Sequence, residues 1–504
     1  MALARTWSVA LDGVSGHLIQ VEADLAGGLP ATTVIGLGDA AVYQARDRVR
    51  AAVMNSGHRW PDKRITLALS PAALPKKGAA YDLALAVALL EAAGVVPQGR
   101  VGGTVLLGEL GLDGTVRPVR GVLPLLLAAR AAGRQEAVVP VGNLTEAALS
   151  GLRVHGVAAL IDLLCHLNGE PGRLIQNPPV PVKQPPRLPD MADVLGQPEA
   201  RAALEVAAAG GHHLAMIGPP GAGKTMLATR LPGLLPGLDA EQSLEVTAVH
   251  SVAGNLDGDT PLITHPPFVD PHHTASLAAV IGGGSGLIRP GSVSLAHRGV
   301  LFMDEAPEFR PTVLDGLRQP LESGGVMLAR ASGSVRYPAR FQLVLAANPC
   351  PCAAARDVDC SCPSGVRRRY LSRLSGPLLD RIDIRVDLPP LDPAALTRSA
   401  ESPEPSAPIA ERVLQARHRA AFRWRSTPWR LNSEVPGPVI RRRWCAGAQD
   451  TELVERAVRA GRLTGRGFDR VLRLALTSAD LDGRDLPSRR DVGRALALRC
   501  GEDL

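Results

Sequence analysis

Leu214-Ala-Met-Ile-Gly-Pro-Pro-Gly-Ala-Gly-Lys-Thr225 is a short apolar run followed by a complete G-x-x-x-x-G-K-[ST] loop. The order matters more than the letters: a buried strand enters a Gly-rich turn, and the turn opens a helix over Met226 to Leu231. Such a turn points successive backbone N–H groups at phosphate oxygens, and the helix N-terminus adds positive partial charge. Gly218, Pro219, Pro220, Gly221, Ala222 and Gly223 are therefore expected to cradle the phosphates of a nucleoside triphosphate, ATP. Lys224 is expected to reach the β- and γ-phosphates, and the Thr225 hydroxyl to ligate Mg²⁺.

A second stretch, Gly299-Val-Leu-Phe-Met-Asp-Glu305, is an apolar strand ending in paired carboxylates. Alone it is a weak signal. About 80 residues after a phosphate loop it fits the intervening elements of a parallel α/β sheet. Asp304 would then hold Mg²⁺ through water, and Glu305 would orient and deprotonate the attacking water. A further apolar strand, Phe341 to Ala347, ends in Asn348. If that strand lies between the other two, Asn348 can hold the attacking water; capping the following turn is its other reading. Arg381, at the entry to another strand, is positioned as an arginine finger for a neighbouring subunit. Arg466, after Thr464-Gly465 at the start of a lid helix, is a second candidate phosphate sensor, with Arg462 and Arg470 as competitors. Asp193 to Gln197, just upstream, would cover the adenine.

The chain has 504 residues, enough for two to four domains. No run of 18 apolar residues appears, so no membrane span is expected. Met1 to Trp7 lacks the apolar stretch of a signal peptide, which predicts a cytoplasmic protein. The seven cysteines, an odd number, argue against a disulfide framework. Four of them, Cys350, Cys352, Cys360 and Cys362, fall within 13 residues and read either as a tetrahedral zinc site or as free thiols. Cys165, Cys445 and Cys500 stand alone and read as packing residues.

Proline marks the boundaries. Residues 1–176 alternate β-rich runs (Ile65 to Leu69, Val105 to Gly108) with apolar helices (Leu83 to Ala93, Leu123 to Ala132). Residues 177–189 are a stiff Pro-rich spacer. Residues 190–400 hold the nucleotide-binding core, and 401–504 a helical lid. The helices expected there are Ile409 to Ala421, Thr451 to Ala460, Gly467 to Ala479 and Arg489 to Cys500, with Gly437 to Ala448 irregular. The lid carries 20 Arg against 14 Asp and Glu, +6 of the chain's net +7. With Trp424, Trp429 and Trp444 among the arginines, it suits either nucleic acid or a solvated helical surface.

These motifs carry a resemblance. The most specific are Gly211-His-His213, Asp270-Pro-His-His-Thr274, Pro290-Gly-Ser-Val-Ser-Leu-Ala-His-Arg-Gly-Val-Leu-Phe-Met-Asp-Glu305, Ala347-Asn-Pro-Cys-Pro-Cys352 and Leu374-Ser-Gly-Pro-Leu-Leu-Asp-Arg-Ile-Asp383. Over nearly the whole chain they resemble the ComM/YifB family of magnesium-chelatase-like AAA+ ATPases, bacterial DNA-remodelling motors. The resemblance implies an AAA+ P-loop core with a helical lid, an α/β fold. It also implies a homo-oligomeric ring, six by family expectation, acting on single-stranded or branched DNA in recombination during natural transformation. Family insertions would fall near Val269 to Leu287 and Gly324 to Tyr337 and project into the pore, making Arg330, His272 and His273 candidate substrate contacts; a capping or packing role is the histidines' other reading.

The N-terminal part resembles the Lon-protease-like (ribosomal-S5-like) α+β domain. Ala80 stands in Pro75-Lys-Lys-Gly-Ala-Ala-Tyr-Asp82 where that protease carries its nucleophilic Ser. No Lys occurs in Gly108 to Leu123, the segment matching its catalytic Lys. Without hydroxyl and base, peptide hydrolysis is not expected. The competing expectations are a chelatase motor subunit, a family that lacks such an N-terminal domain, and a protein-remodelling chaperone.

Overall fold

The computed structural model of the chain describes every residue except 1, 37, 171–172, 177–187, 259–260, 285–287, 331–332, 355–358, 392–402, 444–447 and 502–504. The Pro-rich spacer therefore lies almost wholly outside the described residues, as do Trp444 and Cys445.

The N-terminal residues form a mixed eight-stranded sheet. Its order is Ile175–Gln176, Arg153–Val157, Glu136–Pro140, Thr104–Leu106, Ala2–Asp12, Ser15–Ala26, Arg64–Ser70, Ala31–Ile35. Strand Ser15–Ala26 alternates as a one-sided strand must, with Ile19, Val21, Ala23 and Leu25 buried and the intervening residues half-buried. Helix Asp82–Ala92 is buried at every position, and its sequence is apolar all round except for Asp82 and Glu91 at its two ends. Its lone N-terminal charge, Asp82, is held by Arg48 at 2.7 Å. The segments compared with the protease's Ser and Lys regions lie side by side: Gly108 N–H donates to the Ala80 carbonyl at 3.0 Å. That turn also ends the strand at Leu106, earlier than the apolar run through Gly108 predicts.

The second sheet has five strands, all parallel: Phe268–Val269, Val300–Met303, Gln342–Ala347, Leu214–Ile217 and Ile384–Asp387. Gln342–Ala347 thus lies between the carboxylate strand and the phosphate-loop strand, as the water-holding reading of Asn348 requires. The helix after the phosphate loop runs Lys224–Leu234, longer than expected at both ends, with Pro232 in its last turn.

Among the described residues, five α-helices follow: Ser406–Arg423, Gly437–Arg443, Ala448–Arg459, Gly465–Leu481 and Arg489–Cys500. Their apolar faces (Val413, Val454, Val471, Leu474, Leu496) join Leu204, Met216, Val344 and Ile384 in one cluster, so this part is packed onto the second sheet. Two expectations are corrected here. Gly437 to Ala448 is not irregular throughout, because Gly437–Arg443 is helical, with Pro438 in the first turn where a missing N–H costs nothing. Trp424 is not a surface for bases either: it is fully buried, its Nε1–H donating to Asn432 Oδ1 at 3.0 Å, and Trp429 packs edge-on against it.

A hairpin, Gly325–Arg330 with Gly333–Pro338, stands beside the core where an insertion is expected. The N-terminal part meets its base: Leu11 and Val14 pack with Val335, Tyr337, Ile288 and Val252. The approach is close. A Cβ on Gly13, whose φ is +66°, would lie 2.7 Å from the Arg336 carbonyl oxygen.

Candidate nucleotide site

Parallel register brings three strand ends level. Ile217 pairs with Ala347 and Met303 with Leu345, so the phosphate loop, Asp304 and Asn348 emerge together at the carboxyl edge, where open α/β sheets bind ligands. Gly221 and Gly223 have φ of +78° and +91°, a left-handed turn that side chains resist. This turn delivers the chain to the helix at Lys224.

Lys224 is nearly buried, and its ammonium donates to the carbonyls of Gly218 at 2.6 Å and Pro219 at 2.9 Å and to Asn348 Oδ1 at 3.0 Å. Burial lowers its pKa, while Asp304 and Glu305 pull in the opposite direction. Thr225 Oγ1 donates to Asp304 Oδ2 at 2.8 Å, so the two expected magnesium ligands, 79 residues apart, share one point. Glu305 sits at φ +49°, an uncommon conformation for a residue with a side chain. Its amide donates to Asp304 Oδ1 at 2.8 Å, which turns the chain sharply just past the strand. Gln197 spans the back of the loop, with its amide nitrogen 2.8 Å from the Pro389 carbonyl and 3.4 Å from that of Ala222.

The other candidate residues make contacts of their own. Arg381 pairs with Glu322 of its own chain and donates to the Pro377 carbonyl at 2.5 Å. Arg466 is largely exposed, 3.6 Å from Asp380. Arg470 is engaged elsewhere, in an ion pair with buried Asp383. Arg330 lies in the hairpin, paired with Gly333 through the backbone; its side chain is outside the described residues. Cys350, Cys352, Cys360 and Cys362 come together, their sulfurs all within 4.8 Å of one another.

Two features escape a reading of the sequence. His273, a candidate pore contact, lies with Nδ1 3.3 Å from Glu305 Oε2 and its ring tilted by 31° against that of His272, with centroids 4.2 Å apart. Asp383 joins the core to the last helices: it accepts from the His213 amide at 3.2 Å, faces His212 Nδ1 at 3.4 Å and pairs with Arg470. Burial pushes the Asp383 carboxyl up, and Arg470, His212 and His213 together hold it well below the usual carboxylate range. The signal for the first was the His-His motif; for the second, the Asp at the end of Leu374 to Asp383.

Strand order, phosphate loop and carboxylate strand together define a P-loop α/β module. Family models described as "Magnesium chelatase, subunit ChlI", "Subunit ChlI of Mg-chelatase" and "Magnesium chelatase, subunit ChlI C-terminal" match residues 190–396, 21–143 and 403–499. An uncharacterized protein of Mycobacterium tuberculosis is 54% identical over 99% of both chains. The uncharacterized protein YifB of Escherichia coli is 39% identical over 99% of this chain and 97% of its own. The competence protein ComM of Haemophilus influenzae is 38% identical over 99% of this chain and 98% of its own. The chain belongs to the ComM/YifB family of magnesium-chelatase-like AAA+ proteins. One of these models, over residues 21–143, carries the chelatase name, whereas the magnesium-chelatase 38 kDa subunit of Rhodobacter capsulatus is 30% identical over 31% of this chain and 49% of its own.

Proposed function

We propose that the chain is a ring-forming ATPase that couples ATP hydrolysis to the remodelling of DNA, by branch migration in the recombination of incoming DNA. The observation that carries the ATPase reading is the 2.8 Å contact between Thr225 and Asp304 beside the Lys224–Asn348 pair. These donors fit a hard divalent cation: a hydroxyl and a carboxylate oxygen converge where the loop delivers phosphate. Thr225 and Asp304 would hold Mg²⁺, whose charge offsets that of the phosphates. Lys224 exchanges the loop carbonyls for phosphate oxygens, Glu305 takes the proton of the attacking water, and Asn348 holds that water in line. Arg381 leaves Glu322 to serve the neighbouring subunit's site, and Arg466 closes the last helices over the nucleotide.

The DNA reading draws support from full-length likeness to a competence protein, from the hairpin, and from the basic C-terminal part. The Lon-like part, bearing Ala80 and no paired base, serves as a non-proteolytic scaffold seated on the hairpin. No helix among the described residues is long and apolar enough to cross a membrane. ATP turnover by the full chain, measured with single-stranded DNA, a four-way junction, a chelatase partner or an unfolded protein, tests the reading. Stimulation by DNA alone is expected, falling with salt as neutralised phosphates regain their counterions. Stimulation by the chelatase partner or protein client instead would overturn it.

A further inference from the structure

We propose that Cys350, Cys352, Cys360 and Cys362 bind one zinc ion, which ties the end of the Asn348 strand to the helix Ser364–Leu371. The carrying observation is convergence. Two Cys-x-Cys arms, separated by seven residues, place four sulfurs within 4.8 Å of one another, with individual separations of 3.0, 3.4 and 3.4 Å among Cys350, Cys352 and Cys360. Sulfurs 2.3 Å from one ion at the corners of a tetrahedron stand about 3.8 Å apart. The three individual separations fall about 0.4–0.8 Å short of that value, so an ion entering the group would spread the sulfurs slightly, within the 4.8 Å that bounds them.

Other uses of four thiols fit less well. All four are free, and each approaches more than one other sulfur, whereas disulfides would sort them into exclusive pairs. A cubane iron–sulfur cluster holds its cysteines around a cage of eight atoms, wider than this cluster. Four thiolates on a divalent ion leave a net charge of −2, and the first basic residue of the following helix meets it: the Arg367 guanidinium hydrogen-bonds Cys360. Cys350 is buried while Cys352 is exposed, so the cluster has a protein wall on one side and an entry path on the other.

Position gives the site its purpose. Cys350 follows Asn348 by two residues, and Asn348 accepts from Lys224. Closing residues 350–362 around an ion fixes the path by which the chain leaves that strand, and so the direction in which Asn348 points. The ion is a positioning device that takes no part in the hydrolytic reaction.

The test uses the full chain, purified anaerobically under reducing conditions, supplied with zinc, freed of loose metal and measured without nucleotide. Elemental analysis is expected to give one zinc per chain, and Cys352→Ser and Cys360→Ser each to lose it. Cobalt(II) in place of zinc in the unmutated chain should give the intense visible bands of a tetrahedral sulfur site, which keeps the test valid if a variant fails to fold. Substoichiometric zinc, zinc retained by both variants, iron in its place, or the weak cobalt spectrum of an octahedral oxygen site would each overturn the proposal. None of these readouts depends on ATP hydrolysis, so failure here leaves the ATPase reading standing, and the reverse.

Discussion

Asp383→Asn is expected to lower stability by about 3 kcal/mol, the lower part of the range for leaving one member of a buried ion pair uncompensated. The substitution keeps size and one acceptor, so the His213 amide retains a partner and the loss isolates the charge opposite Arg470. Asp383's side chain is 3% exposed and that of Arg470 16%, so the orphaned guanidinium can turn partly to water, which places the cost low in the range. Urea denaturation of the two proteins gives the difference in stability. The consequence reaches the site, because Arg470 is four residues beyond Arg466 on helix Gly465–Leu481. With that helix less firmly tied to the sheet, the KM for ATP should rise while the phosphate loop stays folded. A destabilisation below about 1 kcal/mol, no larger than an ordinary substitution, would refute the claim that this pair fastens the last helices to the core.

His273→Ala is expected to reduce kcat roughly tenfold, the effect of about 1.4 kcal/mol of lost positioning at Glu305, with KM for ATP unchanged; an unaltered kcat would return His273 to the pore-contact reading. Arg381→Ala should bind ATP normally yet hydrolyse it about 10³-fold more slowly, and mixing it with Lys224→Ala subunits should restore part of the activity. No recovery in assembled mixed rings would mean that Arg381 acts within its own chain. Burial, opposed by Asp383, pushes the His213 imidazole down from 6.5 to about 4. The folded chain therefore holds it neutral while the unfolded chain protonates it below about pH 6.5, so stability should fall as pH drops from there to about 4. His213→Asn should flatten that window, and an unchanged slope would remove His213 as its source.

The phosphate loop, the Asp304-Glu305 strand and the placing of the Asn348 strand between them were legible because each is local: a few residues with fixed spacing whose chemistry is carried by the backbone turn they form. Helix Arg489–Cys500 was legible to the residue, since a Ser before it and a Gly after it punctuate it in the sequence. What the sequence hid depends on long-range approach. Glu305 meets a histidine 32 positions earlier, and Asp383 an arginine 87 positions later, and no periodicity encodes either distance. Burial misled in the lid. Arginine-rich flanks made Trp424 look like a stacking surface, yet the indole fills the core and spends its N–H on Asn432. The four cysteines were visible as a group, but only the folded loop brings their sulfurs within reach of one ion.

The central claim, that hydrolysis at this site drives DNA remodelling, is tested most directly with a labelled mobile four-way junction incubated with the full chain, ATP and Mg²⁺. The junction should resolve into duplex products, and Glu305→Gln, which retains the cation at Lys224 but loses water activation, should bind the junction and leave it intact. An assembled ring that hydrolyses ATP while the junction persists, or a Glu305→Gln variant that resolves it as fast as the unmutated chain, would contradict the account.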